Sequence, residues 1–344
     1  PPPPPPPPPP PRLFFSTTPT PYPILSGLVG LGDVYKRQHW PYVASAPYHQ
    51  LFHPDDCLPV HRLEEERINP HPVYQAFMNN EVSKTFNRDE VRRTVVPTYM
   101  GLIKQIDDHL GRLFSFLEAE NRMTDTMIVF TSDHGDYLGD HFLGEKELFH
   151  DCAARLPLIL YDPDTSADTT RGTVNDTLIE SIDLLPTFLE SCHLDHADHI
   201  LEGESLMPLV RGAKARRHHD DVFSELDYAY YDTRRQLNLE PSEARSYMIR
   251  TKDWKYIYWP YAEGELEATD ELYHLSGDRL ELYNVIEDSD SKETLAIMRQ
   301  TYDQAVNHWK KNSVPYHGYA QYGTIFDRNI KWTGKREAFL RGKK

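Results

Sequence analysis

Thr126-Met127-Ile128-Val129-Phe130-Thr131-Ser132-Asp133-His134-Gly135 is an apolar, β-branched run that stops at two adjacent metal-ligand residue types, with Gly139-Asp140-His141 and Lys146 close behind. Thr126 to Thr131 reads as a strand buried on both faces, and parallel sheets gather their ligand sites just beyond the ends of such strands. Asp133 and His134 fall at that position. A carboxylate beside an imidazole suits a divalent cation, and Gly135 lets the backbone turn sharply after the ligands without a Cβ penalty. Neither Asp133 nor His134 has an evident packing role. The competing reading is a polar turn that merely closes a strand. A four-residue match alone favours that turn, and the surrounding residues reverse the balance.

With 344 residues and 39% hydrophobic content, the chain can bury a substantial core in one large domain or in a large and a small one. The first 38 residues differ: they open on eleven consecutive prolines and pass through Ser16-Thr17-Thr18-Pro19-Thr20-Pro21, which forms no packed element. Ser26 to Gln38 has the look of a translated adapter leader, so the native chain is expected to run further upstream of His39. Setting that leader aside removes three basic residues (Arg12, Lys36, Arg37) and one acidic residue (Asp33), which takes the formal net charge from -16 to -18. Such a field repels nucleic acid and anionic membrane, while a locally basic pocket around a metal can still collect a small anion. Cys57, Cys152 and Cys192 share no close spacing, and the chain shows neither a signal peptide nor a spanning apolar run, so a reducing, cytoplasmic setting is expected.

Beyond the leader, His39 to Pro72 is rich in Pro, His and aromatics and reads as a tightly folded loop. Val95, Tyr99, Leu102, Ile103, Ile106, Leu110, Leu113, Phe114 and Leu117 then recur at helical spacing. Asn87 or Asp89 could cap this helix, and Pro97 places its regular part near that proline. Asp107, Asp108 and His109 belong to its solvated face. Leu156 to Tyr161 is a second apolar strand, and Thr177 to Glu190 has helical spacing with an internal proline. Asp221 to Glu225, Tyr247 to Arg250, Trp254 to Trp259 and Leu272 to Leu275 are short aromatic-rich strands ahead of a helix from about Lys292 to Lys311. The fold expected is α/β, with a mixed, mostly parallel sheet and a smaller C-terminal antiparallel sheet carrying a packed helix. The divisions are 1–38 (leader), 39–215 (α/β part), 216–312 (small sheet) and 313–344, a basic tail suited to an oligomer contact.

His39-Trp40-Pro41-Tyr42, Ser132 to Gly135 with Gly139-Asp140-His141 and Lys146, Arg155-Leu156-Pro157-Leu158 and Arg250 to Tyr256 together resemble the sulfatase family of the alkaline phosphatase superfamily, in its phosphonate monoester hydrolase-like branch. The order and spacing carry the resemblance; each fragment alone occurs by chance. It implies an alkaline phosphatase-like sandwich, with Asp133 and His134 as ligands of one divalent cation opposite an acidic pair nearer the N-terminus. It implies that Lys146 neutralises charge growing on the transferred sulfuryl or phosphoryl oxygens. It also places His39 beside the substrate, able to give a proton or hydrogen bond to the leaving oxygen. His141 is either an orienting partner or a loop residue, and Tyr137 either lines the pocket or packs. The metal expected is Mn²⁺ or Ca²⁺, with Zn²⁺ and Fe²⁺ as further candidates. His134, where sulfatases commonly carry Asn, leans toward Mn²⁺, Fe or Zn²⁺ and toward phosphorus esters.

The formylglycine nucleophile of that family comes from a Cys-x-Pro-x-Arg motif, and none stands here. Cys57-Leu58-Pro59-Val60-His61-Arg62 has its arginine one residue too far along. The nucleophile and the acidic ligands are therefore expected upstream, and the chain as written is expected to be inactive. The resemblance further implies a small anionic ester substrate, no nucleic acid or membrane partner, and a homo-oligomer, dimer or tetramer. Two other readings stay open: a non-catalytic relative that binds an anion or a protein, and a phosphodiesterase-type relative with a Thr or Ser nucleophile, against which the strands around Trp254 argue.

Overall fold

The computed structural model describes residues 42–68, 70–195, 201–213, 220–229, 231–240, 243–259 and 270–312, the last helix with side chains to 307. The leader, His39 and the basic tail lie outside the described residues. Tyr48 to Arg67 contains three short 3₁₀ turns, as a Pro-rich loop should. Then come α1 (Pro72–Met78), α2 (Glu81–Phe86) and α3 (Asp89–Ala119), followed by β1 (Ile128–Thr131), the one-turn α4 (Asp151–Ala154) and β2 (Leu158–Tyr161). Next are α5 (Leu184–Ser191), α6 (Met207–Val210), β3 (Asp221–Asp227), α7 (Asp232–Gln236), β4 (Arg245–Thr251), β5 (Trp254–Tyr258), β6 (Glu271–His274) and α8 (Lys292–Asn312).

Local chemistry explains the helix starts. His71 accepts the Val73 amide with Pro72 at the first helical position of α1, and the Asn80 side chain accepts the Ser83 amide at 2.8 Å to open α2. The expectation that α3 starts near Pro97 is corrected: it starts at Asp89, where Asp89 and Glu90 suit the positive end of the helix dipole. Pro97 sits inside it and forfeits only the bond to the Arg93 carbonyl. Asp107 and Asp108 lie on the outer face, paired with Lys104. Thr177 to Glu180 is not helical. Asp183 accepts the amides of Glu180 and Glu204, each at 2.8 Å, which fixes a 3₁₀ turn before α5 and leaves Pro186 in its first turn.

The α/β character stands, with one correction to the strand pairing. β1 and β2 run antiparallel, Ile128 opposite Tyr161 and Thr131 opposite Leu158, because the 26-residue loop between them reverses the chain. Both sheets among the described residues are antiparallel. Nor is β1 buried on both faces. None of its four residues is fully buried, Ile128 to Phe130 being half-buried, and on β2 Ile159 is 65% exposed.

The C-terminal sheet, in the order β3-β4-β5-β6, is the well-packed part. Period-two alternation sends Met248, Ile257 and Tyr273 to one face, where they meet α1 and the segment 137–153. It sends Ile249, Tyr256 and Leu272 to the other, where they meet Met298 of α8. Both faces are covered, and one of them is covered by the loop that carries the candidate site.

Candidate active site

Asp133 and His134 follow directly on β1. The Ser132 hydroxyl donates to the His134 carbonyl at 2.7 Å and the His134 amide donates to Asp133 Oδ1 at 3.1 Å, so the pair is held by its own turn. His134 Nδ1 donates to the Gly135 carbonyl at 2.8 Å. That bond places the proton on Nδ1 and leaves the lone pair on Nε2, a tautomer in which an imidazole can bind a metal. Nε2 lies 3.6 Å from Asp133 Oδ2. Two ligands sharing one small cation with bonds of about 2.1 Å in a tetrahedron stand about 3.4 Å apart, so the donor pair fits one edge of a coordination shell. The side chain of Asp133 is 78% exposed, so packing does not account for it. Among the described residues no cluster of three or more His, Cys, Asp or Glu includes them.

Gly135 does more than turn the chain. Its amide donates to the Ala153 carbonyl at 2.8 Å, and a Cβ there would stand 2.0 Å from the Cys152 carbonyl oxygen. Close approach, not a positive φ, is what requires glycine here. Beyond it the loop folds back on itself: the Tyr137 amide bonds the Glu145 carbonyl at 2.8 Å and the Gly139 amide bonds the Leu143 carbonyl at 2.9 Å. This brings the backbone of Lys146 alongside that of Asp136. Leu138, His141, Phe142, Glu145 and Leu148 all take positive φ, a concentration of left-handed backbone that persists only where the surroundings over-determine it.

Those surroundings can be named. Arg92 of α3 donates Nε to the Leu138 carbonyl at 2.9 Å. His141 Nδ1 donates to Glu66 Oε1 at 2.6 Å, and its ring stacks on His150 at 3.9 Å between centroids. The Tyr137 hydroxyl lies 2.9 Å from His150 Nδ1, and Tyr74 donates to the His141 carbonyl. Burial pushes the His150 imidazole well below its ordinary value. His141 and Tyr137 are thus buried loop fasteners.

Asp136 escaped the sequence reading. Burial pushes its carboxyl up to about 6, against the opposing pull of the Tyr42 hydroxyl and the Leu138 amide, both of which donate to it. No residue pattern marks it apart from its place after Asp133 and His134. Of the expected site residues, Asp133 and His134 come together, and Lys146 is brought onto the same loop. Asp133 opens onto a cleft of about 2020 Å³ that Asp151, Arg155, Arg250 and Lys252 also line, whereas His134 and Lys146 do not line it. His39 lies outside the described residues. Cys57 bonds weakly to the Arg92 carbonyl, away from the ligand pair.

The sulfatase family profile matches residues 36–193, and the profile for the C-terminal region of N-sulphoglucosamine sulphohydrolase matches residues 139–308. The two overlap on the loop just described. This chain belongs to the sulfatase family. It is 30% identical over 264 residues to the multifunctional alkaline phosphatase superfamily protein PehA of Trinickia caryophylli, covering 71% of this chain and 51% of that protein. It is 28% identical to an arylsulfatase of Clostridium perfringens, over 64% of this chain and 42% of the relative. Among solved structures, the phosphonate monoester hydrolase of Silicibacter pomeroyi superposes with a TM-score of 0.69 at 26% identity, covering 80% of this chain and 55% of that one. The chain spans about half the length of the curated relatives it matches. No helix among the described residues is long and apolar enough to cross a membrane.

Proposed function

We propose that this sulfatase-family chain carries one side of the active site of a metal-dependent hydrolase of sulfate or of phosphonate and phosphate esters. Asp133 and His134 would hold one divalent cation, Mn²⁺ or Ca²⁺ with Zn²⁺ and Fe²⁺ as further candidates. When bound, the cation supplies charge neutralisation at the ester oxygens. Lys146 adds a cation on the same loop, and His39 is the donor to the leaving oxygen. The observation that carries the reading is the His134 ring: Nδ1 spent on the Gly135 carbonyl and Nε2 free beside an exposed Asp133 carboxylate.

No Cys-x-Pro-x-Arg stands in this chain, and among the described residues no third His, Cys, Asp or Glu joins the pair. The chain alone should therefore bind metal weakly and turn over neither 4-nitrophenyl sulfate nor a phenylphosphonate ester. An Mn²⁺ titration followed by electron paramagnetic resonance tests this. Binding lost in Asp133→Ala and in His134→Ala is expected, whereas equal Mn²⁺ uptake by all three proteins contradicts the reading.

A further inference from the structure

The C-terminal sheet grips the candidate site through four charges that the proposed chemistry does not use. Arg250 on β4 and Lys255 on β5 stand directly opposite each other across the strand pair. Strand alternation puts both on the face of Met248 and Ile257, toward the loop. Arg250 holds the Asp151 carboxylate with two nitrogens, at 3.2 and 3.0 Å. Lys255 Nζ, with no exposed surface, donates to Asp151 Oδ1 at 2.7 Å and to the Phe149 carbonyl at 2.6 Å. Glu281 accepts the Asp151 amide at 2.5 Å and forms an ion-pair contact with Nζ through its other oxygen. The two cations and two carboxylates cancel. Burial raises the Asp151 carboxyl, but the Lys255 ammonium and the Arg250 guanidinium outweigh it and hold the group below the usual carboxylate range.

Four desolvated charges are costly compared with an apolar contact of the same volume, so such clusters are better suited to fixing one arrangement than to adding stability. What this one fixes is α4. A single turn of helix has no stability of its own. Yet α4 presents the Ala153 carbonyl that accepts the Gly135 amide, and the Cys152 carbonyl against which Gly135 is packed. Gly135 adjoins His134, and its carbonyl sets the His134 tautomer. A path of hydrogen bonds joined by short stretches of backbone thus runs from β4 and β5 through Asp151, α4 and Gly135 to His134.

We propose that Arg250, Lys255 and Glu281 clamp Asp151 and, through α4, act as positioning residues for Asp133 and His134. The proposal rests on the functional reading only for what the loop holds; the mechanical link is independent of it. Arg250→Lys keeps the charge and removes the two-nitrogen grip. Lys255→Met with Glu281→Gln removes the buried pair at similar volume, and serves if the first variant does not fold.

Amide hydrogen exchange at Gly135, compared with amides of α8, reads the link, and Mn²⁺ affinity reads its consequence. At least tenfold faster exchange at Gly135 with α8 unchanged, together with about tenfold weaker Mn²⁺ binding, is expected. Unchanged Gly135 exchange, or exchange that quickens equally at Gly135 and in α8, overturns the clamp. Wild-type protein that binds no Mn²⁺ contradicts the ligand assignment alone, and Gly135 exchange then still decides the clamp.

Discussion

β4 carries five consecutive buried residues, Arg245 to Ile249, while β1, also rich in apolar residues, has none. The difference lies in what covers them. β4 has the loop 137–153 on one side and α8 on the other, whereas β1 pairs with β2 and joins neither buried cluster among the described residues. Tyr137 to Ala153 is thus embedded against the C-terminal sheet, while Asp133 and His134 follow a strand that is only half-buried. Apolar sequence alone did not produce burial; a second layer did.

The largest test of this contrast is a matched pair of truncations. Ile249→Ala, at a fully buried position beneath α8, should cost about 3 kcal/mol in urea denaturation, and Ile159→Ala should stay within about 0.5 kcal/mol. Equal losses would break the comparison. Gly135→Ala forces a methyl into the Cys152 carbonyl, so it should cost about 1–3 kcal/mol and displace the ligand turn, read as a lower Tm together with lost Mn²⁺ affinity.

The C-terminal sheet also carries a pH signature. Burial raises the Glu271 carboxyl to about 8, with Glu281 and Glu66 adding to the rise and the Tyr273 hydroxyl opposing it. The folded protein keeps that proton while the unfolded chain releases it above about 4.5, so the group's contribution to stability falls as pH rises from 4.5 to 8. Glu271→Gln keeps an acceptor for the Tyr273 hydroxyl. It should leave Tm nearly unchanged at pH 4.5 and raise it by on the order of 5 °C at pH 8. A wild-type advantage at pH 8 would contradict the assignment. The smallest effect is expected at the β1–β2 pair, where Ile159→Thr should weaken concentration-dependent self-association in light scattering without moving Tm.

How much of this was legible in the sequence follows from the same contrast. The C-terminal strands declared themselves through aromatic, alternating runs that turns separate, and β3 to β6 and α8 fall where that pattern put them. Asp133 and His134 could be singled out as candidates because they follow an apolar strand and have no evident packing role. Strand direction was not readable, because the return of β2 depends on the path of the long loop, and that path is set by contacts from Arg92, Glu66 and Tyr74 far away in the chain. Lys255 was a faint signal: a lysine inside Trp254-Lys255-Tyr256-Ile257-Tyr258, on the same face as Ile257, has to find a buried carboxylate. The register that names Asp151 and Glu281 as its partners exists only in three dimensions.

The most direct measurement is anomalous diffraction at the manganese edge from crystals soaked in Mn²⁺. One peak within bonding distance of both Asp133 Oδ2 and His134 Nε2, with the His134 ring still hydrogen-bonded to the Gly135 carbonyl, is the expected result. Manganese bound elsewhere with that pair empty would contradict the account.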